Sequence, residues 1–196
     1  MLTLNEKQTL LRFAHESLKA YLTEEPARLD NASELEKIAN NYTGVFVSVY
    51  VAKKLRGCIG NLNLTAPLPE MIAEMAQAAA NDPRFEPLHA HELAHVAIEI
   101  SLLHQMQSVR SPDEIQIGRD GLLVRRGKKH GLLLPQVAAQ RGWDVITFLE
   151  QTCHKASLPF ASWQEPETEV FRFAAEVFSD HDEGETQQRM NAAGRE

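Results

Sequence analysis

Residues 45–60, VFVSVYVAKKLRGCIG, decide the fold of this chain. Valines at every second position alternate with Phe46, Ser48 and Tyr50, and a period of two residues places the valines on one face of a β-strand. Ala52-Lys53-Lys54 predicts a tight turn, and the residues that follow predict a second strand ending at Gly60. The segment is therefore expected to form an antiparallel hairpin with one apolar face.

Helical and extended patterns alternate on both sides of this hairpin. Before it, apolar residues recur every three or four positions, which predicts a helix capped by Asn5 and stopped by Pro26. Strands joined by hairpins, with helices inserted between some of them, indicate an α+β fold with a mostly antiparallel sheet flanked by helices. The remaining predicted elements are a helix that starts at Thr65 or Pro67 and is broken at Asn81-Asp82-Pro83, a strand over residues 96–103, hairpin strands at 122–124 and 132–134, a helix capped by Asp144 with Val145, Ile146, Phe148 and Leu149 on its buried side, and a strand over 171–178.

The bulk composition limits the class of protein. A chain of 196 residues, 43% hydrophobic and 24% charged, suits one sizeable core or one core with a small appended lobe. The first residues contain no basic segment followed by an apolar run, so a soluble cytoplasmic protein without membrane association is expected. Two cysteines, Cys58 and Cys153, are too few for a disulfide framework and predict free thiols.

The charge balance disfavours nucleic acid as a partner. The net charge is −7, from 20 Lys and Arg against 27 Asp and Glu, so any such binding requires a local basic patch. The best patch runs from Arg119 to His130 and contains no aromatic residue on which a base could stack. Solvated charges on a hairpin are the favoured interpretation of this segment.

The Arg56-Gly57-Cys58 motif is the candidate catalytic site. Residues two apart on a regular strand point to the same face, and a guanidinium beside a thiol favours the thiolate. Cys58 is therefore the candidate nucleophile, with Arg56 as its partner toward an anionic small molecule. In the alternative interpretation, Cys58 is buried and inert while Arg56 pairs with a carboxylate such as Asp82 or Glu99.

A second motif, His91-Glu92-Leu93-Ala94-His95, matches the H-E-x-x-H zinc pattern. That pattern requires a helix, whereas the residues after His95 change at once to strand alternation. The extended signature also fails, because Ile98 and Ser101 stand where its glycine and third histidine belong. We therefore predict surface histidines, no metal site and, because phosphate-loop and dinucleotide motifs are also missing from the sequence, no cofactor.

Ordered blocks along most of the chain carry a family resemblance. After the Leu55–Gly60 block come Asp82-Pro83-Arg84-Phe85, Glu92-Leu93, Ile98-Glu99-Ile100-Ser101, Gly131-Leu132-Leu133-Leu134-Pro135-Gln136-Val137, Trp143-Asp144, Phe148-Leu149, Lys155-Ala156, Leu158-Pro159 and Trp163. The chain resembles the AMMECR family, whose bacterial branch is called AmmeMemoRadiSam system protein A. One departure is Ser157, which stands where the family usually has glycine and is expected to tighten or shift that loop.

The resemblance implies an α+β fold with a larger and a smaller lobe, the Arg-Gly-Cys motif near the cleft between them, and no established reaction. It also implies association with a Memo-like protein and a radical SAM protein. We expect one AMMECR-type domain of two lobes over residues 1–178. Residues 179–196 are polar, lack periodicity and are expected to form a disordered tail.

Four further residues are candidates for ligand binding. Asp82 and Arg84 flank Pro83, where they either face a cleft or form an ion pair that caps a turn. Glu99 is expected to be exposed or paired, and Lys155 either binds an anion or favours the negative end of the preceding helix. Two functions stay open: an enzyme or enzyme subunit using Cys58 and Arg56, and a non-catalytic adaptor.

Overall fold

The computed structural model describes residues 1–26 and 42–180. Within these ranges, no helix is long and apolar enough to cross a membrane. The helices are α1 (Leu4–Thr23), α2 (Leu68–Ala79), α3 (Pro135–Arg141) and α4 (Val145–Lys155), with short 3-10 helices at Ala90–His95, Pro112–Glu114 and Phe160–Gln164. The strands are β1 (Gly44–Val51), β2 (Lys54–Asn61), β3 (Val96–Leu103), β4 (Gln107–Ser108), β5 (Asp120–Arg126), β6 (Lys129–Leu133) and β7 (Glu169–Ser179).

The chain folds into two compact units. The first contains Met1–Leu102 and the chain from Glu176 onward, and the second contains Leu103–Ala175. In the first unit the strand order is β2-β1-β3-β7, and in the second β7 pairs with β4 and β5, which pairs with β6. Strand β1 pairs with β2, and β5 with both β6 and β7, in antiparallel fashion. The predicted α+β class with a mostly antiparallel sheet is confirmed.

The first unit has its core between one face of the sheet and the two helices α1 and α2. The alternating valines of β1 turn inward as predicted, and Val45, Val47 and Val49 are at most 1% exposed. Ile98 and Ile100 of β3 are equally buried. Removing these side chains from water contributes on the order of 2 kcal/mol each, which fixes which face of the hairpin meets the helices. The partners on α1 and α2 include Leu10, Ala14, Leu18, Leu68, Ile72 and Ala76.

Helix α1 begins two residues earlier than the sequence prediction. The cap is Thr3, not Asn5, because the Thr3 hydroxyl accepts the main-chain N–H of Glu6 and the Glu6 carboxylate accepts the N–H of Thr3. This reciprocal pair satisfies two donors that the helix itself leaves open. The helix ends at Thr23 with Glu24 in the left-handed conformation, before Pro26 is reached.

The second unit packs α4 against the β5–β6 hairpin. Phe148 and Leu149 of α4 are buried with Leu122 and Val124 of β5. The predicted cap is confirmed, since the Asp144 carboxylate accepts the N–H of the residue at the third helical position at 2.7 Å. Both hairpin strands are longer than their apolar runs, and α3, which starts at Pro135, was not predicted.

The end of β7 reaches into the region predicted as a tail. Ser179 is the last residue of β7. The Asp180 carboxylate accepts the main-chain N–H of Ile98 at 2.8 Å and lies 2.6 Å from Nε2 of His15. These two contacts attach Asp180 to β3 and α1. The rest of the predicted tail, residues 181–196, lies outside the described residues.

Candidate functional site

The hairpin that carries the Arg-Gly-Cys motif contains a β-bulge. Ser48 stands opposite Cys58 and Val49 opposite Gly57, but Tyr50 stands opposite Leu55. Arg56 is therefore the extra residue of β2, without a partner on β1. A bulge interrupts the regular alternation of side chains. The argument that spacing alone places Arg56 beside Cys58 was consequently wrong in its premise.

Arg56 is held by the segment that precedes β3. Its guanidinium forms an ion pair with Glu92, with Nη2 3.4 Å from Oε2, and donates to the carbonyls of Glu86 and Pro87 at 3.2 and 3.3 Å. Glu92 also accepts the main-chain N–H of His89 at 3.0 Å. The Arg56 hydrogen bond is the main cause of the lowered pKa of the Glu92 carboxyl. Arg56 thus fastens the 3-10 helix Ala90–His95 to β2.

The observed partner of Arg56 differs from both carboxylates that the sequence suggested. Asp82 is occupied by Arg84, and the carboxylate that forms the ion pair with Arg56 is that of Glu92. The arginine and its Glu92 partner are 22% and 15% exposed, so this ion pair is substantially withdrawn from water.

The carboxylate of Asp82 is completely buried and accepts hydrogen bonds from Cys58 and Arg84. It accepts the main-chain N–H of Cys58 at 2.9 Å and the Nε and Nη2 groups of Arg84 at 2.9 and 2.5 Å. Arg84 Nη2 in turn donates to the carbonyl of Cys58 at 2.8 Å. The Arg84 guanidinium holds the pKa of Asp82 well below its usual range, against the opposing effect of burial. The Asp82–Arg84 ion pair, anticipated from the residues around Pro83, therefore hydrogen-bonds to both the main-chain N–H and the C=O of Cys58.

Gly57 is required by the close approach of α2. A Cβ on this residue would lie 1.9 Å from the main-chain oxygen of Ala79, the last residue of that helix. Only a residue without a side chain allows this contact. The three residues of the motif are thus each fixed by a different neighbour: the 3-10 helix, α2 and the Asp82–Arg84 pair.

The half-buried side chain of Cys58 lies among polar residues that we name the polar face: Ser48, Tyr50, Cys58, Glu99 and Ser101. These residues alternate with the buried valines of β1 and isoleucines of β3, so they share the face opposite the helices. The pKa of Tyr50 is raised to about 12, mainly by burial and to a smaller extent by the nearby Glu99 and Cys58. Ser48 and Ser101 are 5% and 1% exposed, and the Ser101 hydroxyl has no hydrogen-bond partner among the described residues.

Arg84 is the cation held against the main chain of Cys58. Electrostatic interaction with Cys58 contributes to the raised pKa of Arg84, after the larger effect of its hydrogen bond to Asp82. The Arg84 side chain is 53% exposed, so part of the guanidinium faces solvent. A protonated phenol, a carboxylate, a thiol and a guanidinium around one strand can bind a small polar anion and move a proton.

Lys155 is the one candidate in the second unit. It is exposed in the last turn of α4, where Lys129 donates to the carbonyl of Ser157 at 2.9 Å. Both cations complement the negative end of the helix, the commoner use that the sequence left open. Ser157 has a φ of 56°, in the left-handed region that favours glycine. The second thiol, Cys153, is free and fully buried, and burial raises its pKa.

The H-E-x-x-H residues form a 3-10 helix rather than an α-helix. The His89 and His91 rings stack with centroids 5.7 Å apart, and Glu92, the base of the zinc pattern, holds Arg56. Residues 1–26 and 42–180 contain no group of three or more side chains suited to a metal ion.

The predicted basic patch is largely neutralised by neighbouring acids. Arg125 pairs with Glu169 at 2.8 Å, and Arg126 pairs with Glu165. These ion pairs reduce the charge that the β5–β6 hairpin presents to a polyanion, in line with the unfavourable overall charge.

Sequence reasoning missed Glu92 as the partner of Arg56, and it missed Ser48 and Tyr50 as neighbours of Cys58. For Ser48 and Tyr50 a signal was present: they alternate with the core valines of β1, and a neighbouring strand places its polar residues beside them. For Glu92 the contact spans 36 positions across a bulge, and no local pattern indicates it.

Fold and site together define an α+β protein of two units in which a bulged hairpin presents one thiol among polar side chains. The chain belongs to the AMMECR1 family, whose model matches residues 11–178. Protein MK0488 of Methanopyrus kandleri is 40% identical over 199 residues, covering 96% of this chain and 95% of the relative. Protein TK0174 of Thermococcus kodakarensis is 41% identical over 187 residues, covering 87% and 88%. The crystal structure of uncharacterized protein PH0010 from Pyrococcus horikoshii matches with a TM-score of 0.80 and 35% identity, covering 89% of this chain and 91% of that chain.

Proposed function

We propose that this AMMECR1-family protein is an enzyme or enzyme subunit that uses the Cys58 thiol on a small anionic molecule. The observation that carries the proposal is the position of Arg84, whose half-exposed guanidinium donates to the main-chain carbonyl of Cys58 and so places a cation next to the residue that bears the thiol. Arg84 replaces Arg56 in this role: both arginines are paired with carboxylates, but the Arg84 side chain is 53% exposed and that of Arg56 only 22%.

The surroundings of Cys58 suit nucleophilic chemistry. Its main chain is held at both polar groups, which limits the motion of the side chain. In the proposed step the thiol proton passes to Glu99 or to water, Sγ bonds to an electrophilic carbon, and the leaving group departs with the electron pair of the broken bond. Tyr50 stays protonated at neutral pH, because its pKa is raised to about 12, and its hydroxyl can donate a hydrogen bond to the leaving group without giving up its proton.

The test compares two alkylating reagents that differ in charge, iodoacetate and iodoacetamide, on a Cys153→Ala background. With N-acetylcysteine as the reference thiol, Cys58 is expected to favour the anionic reagent by about threefold to tenfold, as one partly screened charge contact of about 1 kcal/mol provides. Arg84→Gln should abolish this preference. Lys54→Gln, which removes an exposed cation of the same strand, is the matched control and should keep it.

Two results would contradict the proposal. Cys58 that reacts far more slowly than N-acetylcysteine with both reagents would be a structural thiol. If Arg84→Gln still reacts preferentially with iodoacetate, a cation other than Arg84 attracts the reagent. Urea unfolding of each variant separates a change in reactivity from a loss of the folded state.

A non-catalytic adaptor is the second candidate, favoured by the extent to which the motif is engaged within the protein. The guanidinium of Arg56, the space at Gly57 and both main-chain groups of Cys58 are all taken by intramolecular contacts. We propose as partners the Memo-like and radical SAM proteins that the family resemblance implies. Co-purification of the three proteins that persists in Cys58→Ala would support the adaptor, and loss of a chemical product with assembly intact would support the enzyme.

A further inference from the structure

The second unit contains a pocket of about 380 Å³ that is separate from the Cys58 site. Its lining combines apolar side chains with polar ones: Val109, Pro112, Leu149, Trp163 and Val170 on one hand, and Arg110, Ser111 and Gln164 on the other. Pockets of small-molecule ligands measure roughly 300–1,000 Å³ and combine apolar walls with a few polar groups. The size and lining therefore suit a compact ligand with an apolar body.

Arg110 is the unmatched charge of this pocket. Its side chain is exposed and has no ion pair or hydrogen bond among residues 1–26 and 42–180. The adjacent Glu114 carboxylate is already used, because it accepts the main-chain N–H groups of Arg110 and Ser111 at 3.1 and 3.2 Å. The exposed Asp113 carboxylate lies 3.3 Å from the Ser111 hydroxyl. Four other arginines of this unit differ from Arg110 in that each has a carboxylate partner: Arg119, Arg125, Arg126 and Arg172.

Trp163 adds a large aromatic surface to the wall. An indole ring packs against a second ring in offset or edge-to-face contact and contributes beyond the area that it buries. Its Nε1 group is buried without a hydrogen-bond partner among the described residues, and an unsatisfied buried donor is unfavourable.

We propose that the pocket binds a small amphipathic carboxylate, with its apolar ring against Trp163 and Leu149 and its carboxylate on the Arg110 guanidinium. The lining offers one cation together with apolar side chains, which matches a ligand with one carboxylate and an apolar body, and a planar guanidinium can bind both carboxylate oxygens. This site goes beyond the proposed function, since it lies in the other unit and involves neither Cys58 nor Arg84.

The test is a titration of the full-length protein with hydrocinnamate, followed by two-dimensional amide NMR. Saturable shifts are expected at Val109, Arg110 and the indole N–H of Trp163. The neutral analogue hydrocinnamamide should bind about tenfold more weakly, since it lacks the charge-assisted contact. Arg110→Gln should reduce the affinity for the acid to that of the amide, and Lys128→Gln, which removes an exposed cation of the β5–β6 turn, should change neither.

Several outcomes would overturn the proposal. These are shifts that do not saturate at the solubility limit, shifts confined to residues away from the pocket, equal affinity for acid and amide, or undiminished binding by Arg110→Gln. The amide spectrum of each variant reports whether it is folded. Val109→Phe, which fills the pocket, should abolish binding of both compounds, and retained binding would place the ligand elsewhere.

Discussion

The ion pair between the buried Asp82 carboxylate and the half-exposed Arg84 guanidinium is expected to be a large contributor to the stability of the first unit. The perturbation is a double-mutant cycle of Asp82→Asn, Arg84→Gln and the double variant. Asp82 is fully buried and accepts four hydrogen bonds, two from the Arg84 side chain and two from main-chain N–H groups. An asparagine keeps one acceptor and turns an amide donor toward groups that are themselves donors.

The magnitude follows from burial and from the exposure of the arginine. Removing one partner of a buried charge pair costs about 3–5 kcal/mol. The Arg84 side chain is 53% exposed, so water can solvate its guanidinium once the carboxylate is removed. Asp82→Asn is therefore expected to lower the unfolding free energy by about 2–3 kcal/mol. Arg84→Gln leaves a buried carboxylate with only main-chain donors and should cost a similar amount. The coupling energy of the cycle is then about 1–3 kcal/mol.

Urea unfolding of the four proteins measures these free energies. The matched control is the same cycle on Arg125 and Glu169, an ion pair whose side chains are 49% and 54% exposed, and its coupling should be clearly smaller. Equal coupling in the two cycles would refute the argument that burial of the carboxylate decides the contribution.

The same pair predicts a pH dependence. The pKa of Asp82 is lower in the folded than in the unfolded chain, so its ionised form stabilises the fold above pH about 4. That contribution is lost as the pH falls further toward the folded pKa. The difference in unfolding free energy between the wild type and Asp82→Asn should therefore shrink below pH about 4, and a constant difference would contradict the assigned ionisation.

Three other variants test the local structure. Gly57→Ala should lower the unfolding free energy by more than about 3 kcal/mol or prevent folding, because the new Cβ would lie 1.9 Å from the oxygen of Ala79; ordinary stability in urea would rule out this contact. Ser157→Gly should raise the unfolding free energy by up to about 1 kcal/mol, since its φ of 56° favours glycine; a loss would show that the serine hydroxyl matters more. Arg56→Met should lower the unfolding free energy by about 2–4 kcal/mol, because it leaves the Glu92 carboxylate without its cation. The alkylation rate of Cys58 should stay unchanged in this variant. A slower rate would show that Arg56, and not Arg84, activates the thiol.

The fold was predictable where the signal lies in neighbouring residues. The alternation from Val45 to Val51 identified the core face of β1, and the side chain of Asp144 identified the start of α4. The start of α1 was misplaced although Thr3 and Glu6 form a recognisable S/T-x-x-E pair, because Asn5 is an equally good cap by residue type alone. Helix α3 is too short to give a clear periodic pattern.

The site was less predictable because its contacts connect distant segments. Asp82 and Arg84 are close in sequence, and their pairing could be anticipated from the turn around Pro83. Arg56 could not be assigned in this way, because one inserted residue in β2 changes which side chains are neighbours. Spacing predicts a shared face only in a strand without a bulge.

The Asp82–Arg84 pair has a consequence for the behaviour of the protein at high concentration. Strand β2 is the first in the strand order, so no other strand within residues 1–26 and 42–180 covers its outer side. At Cys58, the carboxylate and guanidinium supply the acceptor and the donor that an additional strand would otherwise supply. An uncovered strand is a template for edge-to-edge aggregation, and natural proteins block it with charges and bulges. In the first unit, β2 is the edge strand that could pair with a second copy of the chain. The bulge at Arg56 and the ion pair at Cys58 lie two residues apart on this strand, and both oppose such pairing.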